Sequence, residues 1–137
     1  MTDSVEFELV SPERLLKSEP VEMVVIPGTE GDLGILPGHS LLIATMRPGT
    51  IDIYKNGLVA EKIFISGGFA EISPERCTVL AEEALPVNDI NREKAMERLE
   101  KAKEMLAKAE TDDQADSLMA GKEIKKAEAM ISAIPQA

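Results

Sequence analysis

Apolar and polar residues alternate through Val5-Glu6-Phe7-Glu8-Leu9-Val10, the two-residue period of a strand with one buried face. A denser apolar run, Val21 to Ile26, ends at the turn signal Pro27-Gly28. Another, Leu41 to Met46, ends at Arg47-Pro48-Gly49. Thr50 to Tyr54 and Leu58 to Ile65 flank Lys55-Asn56-Gly57, and Asn-Gly between two β-rich runs predicts a hairpin. Phe69 to Ile72 and Cys77 to Ala81 flank a further turn, Ser73-Pro74-Glu75-Arg76. Strands this closely spaced, without helices between them, predict an antiparallel sandwich or barrel.

The pattern changes near residue 88. Residues 89–137 hold one Gly, one Pro and no aromatic residue, and are rich in Ala, Glu, Lys and Met. Ala95, Leu99, Ala102, Leu106 and Ala109 recur at helical spacing, as do Ala120, Ile124, Ala127, Ile131 and Ile134. Asn88 or Asp89 can cap the first helix, and Asp89 suits the positive end of its dipole. Glu97-Lys101 and Glu104-Lys108 have the spacing of helpful surface pairs. Thr111 and Gln114 have the spacing of a capping box for the second helix, and Pro135 ends it. Two amphipathic helices joined by a short turn make an αα-hairpin. Its Ala-rich stripes bury little area, so the hairpin is expected to dock against something and to undock at small cost. The fold class is therefore α+β: an N-terminal antiparallel β-sandwich over residues 1–88, then a two-helix antiparallel hairpin over 89–137.

Composition narrows the function. At 137 residues and 44% hydrophobic content the chain forms one compact domain or a small domain with an appendage, and its core is aliphatic because aromatics are only 3%. A formal net charge of −10 repels nucleic acid and anionic headgroups, which argues against direct binding to either. No apolar stretch approaches the roughly 20 residues that span a bilayer, and Met1-Thr2-Asp3-Ser4 lacks signal- and transit-peptide character. Any membrane connection is expected to run through another protein. The single cysteine, Cys77, sits in an alternating run and reads as a buried structural thiol, in keeping with a reducing compartment.

Chemistry-bearing motifs are few. Gly28, Gly31, Gly34 and Gly38 recur every three or four residues, a tightly folded series of turns and strands. A phosphate-binding loop would need a Gly-Lys-Ser/Thr ending that opens a helix, whereas this run ends in Pro37-Gly38-His39-Ser40 before a strand. His39 beside Ser40 suggests a general base, but one histidine without a partner constellation reads instead as a structural or interface residue. Gly67-Gly68 suggests a bulge or a close contact with a neighbouring chain. No catalytic residue, metal cluster or obligatory cofactor is read from the sequence.

The run Val24-Val25-Ile26-Pro27-Gly28-Thr29-Glu30-Gly31-Asp32-Leu33-Gly34-Ile35-Leu36-Pro37-Gly38-His39 resembles the N-terminal signature of ATP synthase epsilon subunits. Met46-Arg47-Pro48-Gly49, Ile65-Ser66-Gly67-Gly68-Phe69-Ala70-Glu71 and Val79-Leu80-Ala81-Glu82 follow in that family's order and spacing, so the resemblance covers essentially the whole chain. It implies a non-catalytic rotor-stalk subunit of an F-type ATP synthase. The expected partners are the gamma subunit, the c-ring and, through an extended hairpin, the alpha/beta catalytic head. The expected location is peripheral, on the cytoplasmic side of a bacterial inner membrane or the stromal side of a thylakoid.

The resemblance also assigns residues. It places the turn at Glu30 and Gly31 toward the c-ring, and His39 on the surface facing the gamma subunit, with Gly67 and Gly68 as further interface candidates. Asp89-Ile90-Asn91-Arg92 matches the Asp and Arg of a stretch that binds ATP as a regulatory ligand in some bacterial members. It departs at Asn88 and at Glu93, whose carboxylate beside Arg92 would repel a nucleotide, so a helix start with an exposed Arg is the competing reading. Lys122, Lys125 and Lys126 form a modest basic face, offset by Glu123 and Glu128, that would serve an inhibitory hairpin; a hairpin that stays docked is the alternative. The competing function is a free-standing nucleotide-sensing or interaction module on the same fold.

Overall fold

The computed structural model describes residues 4–109 and 114–135. Strand β1 (Val5–Val10) realises the alternation read above, with Val5, Phe7 and Leu9 buried. The strands that follow are β2 (Leu15–Val21), β3 (Met23–Gly28), β4 (Gly31–Ile35), β5 (Leu42–Met46), β6 (Gly49–Lys55), β7 (Leu58–Ile65), β8 (Gly68–Ile72), β9 (Arg76–Ala81) and β10 (Ala84–Pro86). A short 3-10 turn, Val87–Asp89, leads to α1 (Arg92–Ala109) and α2 (Gln114–Ala133).

The strands form one sheet in the order β10-β7-β6-β3-β5-β8-β9-β1-β2, with β4 paired to β3 beside this path. The sheet wraps on itself around Phe7, Ile26, Ile51, Ile53, Ile65 and Ile72, all fully buried. The β6–β7 hairpin turns at Asn56 and Gly57, with φ of 55° and 75°, the positive pair that matches the twist of the flanking strands.

Three strands escape the sequence pattern. β2, Leu-Leu-Lys-Ser-Glu-Pro-Val, is polar at its centre and buries only Val21 because it ends the sheet path, where Pro20 is tolerated. β4 lies within the glycine series, and β10 has only three residues. One pairing is not antiparallel: β1 runs parallel to β9, from Glu6 opposite Arg76 to Val10 opposite Leu80. The edge of β2 is tied to the other half of the sheet by charge. Lys17 contacts Glu61 of β7 at 2.8 Å, and Glu19 takes Lys17 at 3.2 Å and Lys55 of β6 at 2.9 Å.

The helices pair through Ala95, Ala102 and Ala109 of α1 and Ala120 and Ala127 of α2, all buried, as the spacing predicts. Ile124, Ile131 and Ile134 are only half-buried, and Met130, absent from the predicted stripe, is buried instead. The cap also differs from expectation. Asn88 and Asp89 lie in the 3-10 turn, and Asn91 caps α1, its Oδ1 accepting the Lys94 N–H at 3.0 Å. Of the expected capping box, Thr111 lies outside the described residues. The expected Glu97-Lys101 and Glu104-Lys108 pairs do not form among the described residues, where Lys103 instead approaches Glu100 at 4.0 Å.

The hairpin lies on the outside of the sandwich, with α2 against β6. A second apolar cluster forms there from Phe64, Val87, Ala95 and Met130. Ile63, Phe64 and Ile65 are consequently buried in succession: the isoleucines face the sandwich core and Phe64 faces the helices.

Two predictions follow from these burials. Burial opposes the Glu19 charge, yet the ammonium groups of Lys55 and Lys17 outweigh it and hold the carboxyl below its ordinary 4.5. The ion pair therefore stabilises fully above pH 4.5 and is lost as pH falls through the lower folded value. Glu19→Gln should cost stability at pH 7, and in urea titrations its deficit relative to wild type should shrink as pH falls below 4.5. Burial pushes the Cys77 thiol up to about 12, so at pH 8 its reaction with a thiol reagent should track global unfolding and disappear under stabilising conditions.

Candidate functional site

The two outer faces of the sandwich differ. One is covered by the hairpin. On the other, register aligns Thr45 of β5, Phe69 of β8, Leu80 of β9 and Val10 of β1 in one row, and Ile43, Glu71, Thr78 and Glu8 in the next. These are the outward positions, since Ala70, Ile72, Cys77 and Val79 between them are buried. Ile43 is 75% exposed, Phe69 56% and Leu80 51%, an apolar patch with Leu41 exposed beyond it. Charge borders it: Arg76 pairs with Glu8 at 3.0 Å, and Glu71 and Glu82 are exposed. A shallow groove beside Phe69 and Leu80 is lined by Val10, Pro12, Gly68 and Glu82. An apolar patch with a polar rim is the form of a protein–protein contact.

Gly68 sets the spacing of this face. Its φ is 145°, and a Cβ there would stand 1.9 Å from the Leu80 carbonyl oxygen. The close approach is thus to β9 of the same chain. Gly67 (φ 123°) is buried, and a Cβ on it would meet the Met46 carbonyl oxygen at 3.4 Å. The adjoining Ser66 is buried; its Oγ accepts the Glu83 N–H at 3.0 Å and its own N–H donates to the Glu83 carbonyl at 3.1 Å.

The β3–β4 turn presents Thr29, Glu30 and Gly31 to solvent, Gly31 with φ of 137°. Arg47 anchors it by donating to the Gly28 carbonyl and to Asp32 Oδ1 at 2.7 Å, while the Thr29 N–H donates to the Thr45 carbonyl at 2.9 Å. Met46 pairs with both Gly28 and Gly68, so Glu30, Gly31, Gly67 and Gly68 gather at one end of β5. His39 belongs to the other end. Its neighbour Gly38 donates to the Pro74 carbonyl at 2.8 Å, and its own Nδ1 donates to the Ser40 carbonyl at 2.7 Å. No acid or nucleophile is placed against the imidazole among the described residues.

On the hairpin side, Asp89 and Arg92 are both exposed, on the 3-10 turn and on the first residue of α1, and Glu93, Met96, Glu97, Glu100 and Lys101 surround Arg92. The engaged guanidinium is that of Arg98. It contacts both Glu83 oxygens, at 2.7 and 2.8 Å, and Glu123 at 3.3 Å. Arg98 holds the Glu83 carboxyl below the carboxylate range against the opposing effect of burial. Lys126 pairs with Glu82 at 3.0 Å and Glu123 at 3.4 Å; burial opposes its charge, but the two carboxylates raise its pKa overall. Lys122 and Lys125 are exposed. Of the three lysines read as one basic face, Lys126 is therefore spent on internal pairs. Neither Glu82, Glu83 nor Arg98 carries a local sequence signal, because the pairs join residues 15 and 44 positions apart. Among the described residues no cluster of His, Cys, Asp or Glu could hold a metal ion, and no helix is long and apolar enough to cross a membrane.

Residues 4–87 match the family model described as the ATP synthase delta/epsilon chain β-sandwich domain. The chain is 48% identical over 133 residues to the ATP synthase epsilon chain of Rhodospirillum rubrum, covering 97% of this chain and 98% of that one. It is 49% identical over 134 residues to that of Paramagnetospirillum magneticum, with 98% and 99% covered. Among solved structures, a chain of the Euglena gracilis mitochondrial ATP synthase superposes with a TM-score of 0.81 at 27% identity, covering 98% of this chain and 84% of that chain. A chain of the Tetrahymena thermophila mitochondrial ATP synthase shares the fold at a TM-score of 0.61 and 13% identity, with 96% of each chain covered.

Gly68→Ala should force β8 and β9 apart, since backbone rather than a flexible side chain blocks the new Cβ. The expected loss is more than about 2 kcal/mol in chemical denaturation, from strain and broken pairing together. An unchanged midpoint would mean that the strands tolerate wider spacing.

Proposed function

This chain belongs to the ATP synthase epsilon-chain family, and from that premise we infer how its surfaces are used. It is a non-catalytic subunit of the enzyme's central stalk, part of the rotor that couples rotation of the membrane ring to the catalytic head. The observation that carries the finer reading is the uncovered apolar face at Ile43, Phe69 and Leu80. We propose that this face packs against the gamma subunit. Burying it supplies the hydrophobic part of the contact, and the charged rim fixes its register.

The Thr29-Glu30-Gly31 turn is proposed to meet the c-ring, with Gly67 and Gly68 beside it at the same end of β5. The support is its exposure combined with its rigid mounting on Arg47: a turn that passes torque must not yield. His39, at the other end of β5, is proposed as a rim residue of the gamma contact. Coupling by such a body is mechanical, because a close-packed core transmits strain without absorbing it. The hairpin is proposed to reach the alpha/beta head only when it leaves the sandwich, where Lys122, Lys125 and a freed Lys126 present positive charge. The two epsilon chains at 48% and 49% identity are bacterial, which supports a peripheral position on the cytoplasmic face of a bacterial inner membrane. ATP binding at Asp89 and Arg92 draws no support from the surroundings of Arg92, where three carboxylates, Glu93, Glu97 and Glu100, outnumber the one further cation, Lys101.

The test replaces Phe69 and Leu80 by Asp. Both side chains are exposed, so the free chain should fold as before. Binding to the gamma-containing catalytic complex, stripped of its own epsilon subunit and followed by size exclusion and titration, should weaken about 30-fold or more if these are anchor residues. Undiminished stoichiometric binding would remove this face from the gamma contact.

A further inference from the structure

The hairpin's hold on the sandwich can be read contact by contact. The apolar part is one small cluster, in which Phe64 and Val87 from the sandwich side meet Ala95 and Met130 from the helices. Around it pack Leu85 and Ile90 and, from α2, Ala129, Ile131 and Ala133, all only partly buried. Charge supplies the rest, and it has one polarity. The sandwich contributes the carboxylates, Glu82 and Glu83, and the hairpin contributes the cations, Arg98 and Lys126.

The carboxylates stand on a stiff mount. Glu82 and Glu83 form the link between β9 and β10. The Glu82 N–H donates to the Gly67 carbonyl at 3.3 Å, and Glu83 is held by Ser66 through both its N–H and its carbonyl. The cations come from different helices, Arg98 from α1 and Lys126 from α2, and Glu123 of α2 lies between them, 3.3 Å from one and 3.4 Å from the other. The two helices are therefore fastened to the same pair of sandwich residues and to each other, and they should release as a unit.

We propose that Glu82 and Glu83 form an ionic latch that keeps the hairpin docked without a bound ligand, so that ionic strength sets the docked fraction. All these groups are partly solvent-exposed, and ion pairs in that setting weaken as the screening length falls from about 10 Å at 0.1 M salt to about 3 Å at 1 M. Opening the latch uncovers Phe64 and frees Arg98 and Lys126 at once. The latch concerns the chain by itself and does not rest on the assignment of its outer surfaces to partners.

The experiment uses the full chain with reporter labels on Leu58→Cys and Leu118→Cys, at side chains 72% and 68% exposed. Buried Cys77 stays unlabelled. The label–label distance distribution gives the docked and undocked populations. At about 0.1 M salt, Glu82→Gln with Glu83→Gln should raise the ratio of undocked to docked protein about tenfold or more, and raising salt to about 1 M should bring the unaltered latch toward the same ratio. Glu83→Gln combined with Arg98→Gln should be no more undocked than the worse of the two alone, the mark of residues acting through one contact. Phe64→Ala is the control that opens the apolar cluster. If it releases the hairpin while the charge variants and salt do not, the apolar cluster alone holds the hairpin and the latch is refuted. Protection of Cys77 in every variant shows that the sandwich has stayed folded.

Discussion

The arrangement of the molecule depends on Phe64 pointing away from the sandwich core. A strand between two isoleucines would normally send its middle side chain to water, and an aromatic there leaves an apolar surface that must be covered. The hairpin covers it. That burial fixes which side of the sandwich is closed and which is left open. The open side carries Ile43, Phe69 and Leu80, the apolar patch proposed above as the gamma contact. One aromatic residue thus decides which face of the sandwich is closed by its own chain.

Much of this was legible in the chain. The alternation in β1, the Asn-Gly hairpin and the Ala-rich helical stripes each have a local physical cause and formed where expected. Ile63-Phe64-Ile65 lies within the strand expected over Leu58 to Ile65, but nothing local said that Phe64 would be covered by the hairpin. β2 was hidden because its strand character comes from pairing with β1 and from long-range ion pairs at Lys17 and Glu19. The parallel β1–β9 pair was hidden for the same reason: neither strand records its neighbour's direction.

The candidate chemistry divides in a similar way. Asp89 and Arg92 match a family stretch that binds ATP, yet both stand exposed. Arg98 carries no local signal, although it is the best-coordinated cation in the hairpin, because its partners lie far along the chain. Asn91 rather than Asn88 or Asp89 caps α1 because a 3-10 turn occupies the preceding residues, a shift of a few positions that propensity does not resolve. Gly68 was recognisable as a site of close approach. The approaching group is Leu80 of the same chain, a neighbour set by the β8–β9 pairing.

The parallel pairing of β1 with β9 also bears on how the chain acquires its fold. Glu6 and Arg76 sit opposite one another across seventy positions of sequence. On a ribosome, the first strand emerges long before its inner neighbour exists, and until then it can pair only with β2, with its other edge open. The sheet closes when β9 arrives, which makes this a late, non-local step of the kind that slows β-rich folds. A strand formed first is completed nearly last, and the acidic side chains along it, Glu6 and Glu8, sit where they discourage premature pairing with another nascent chain.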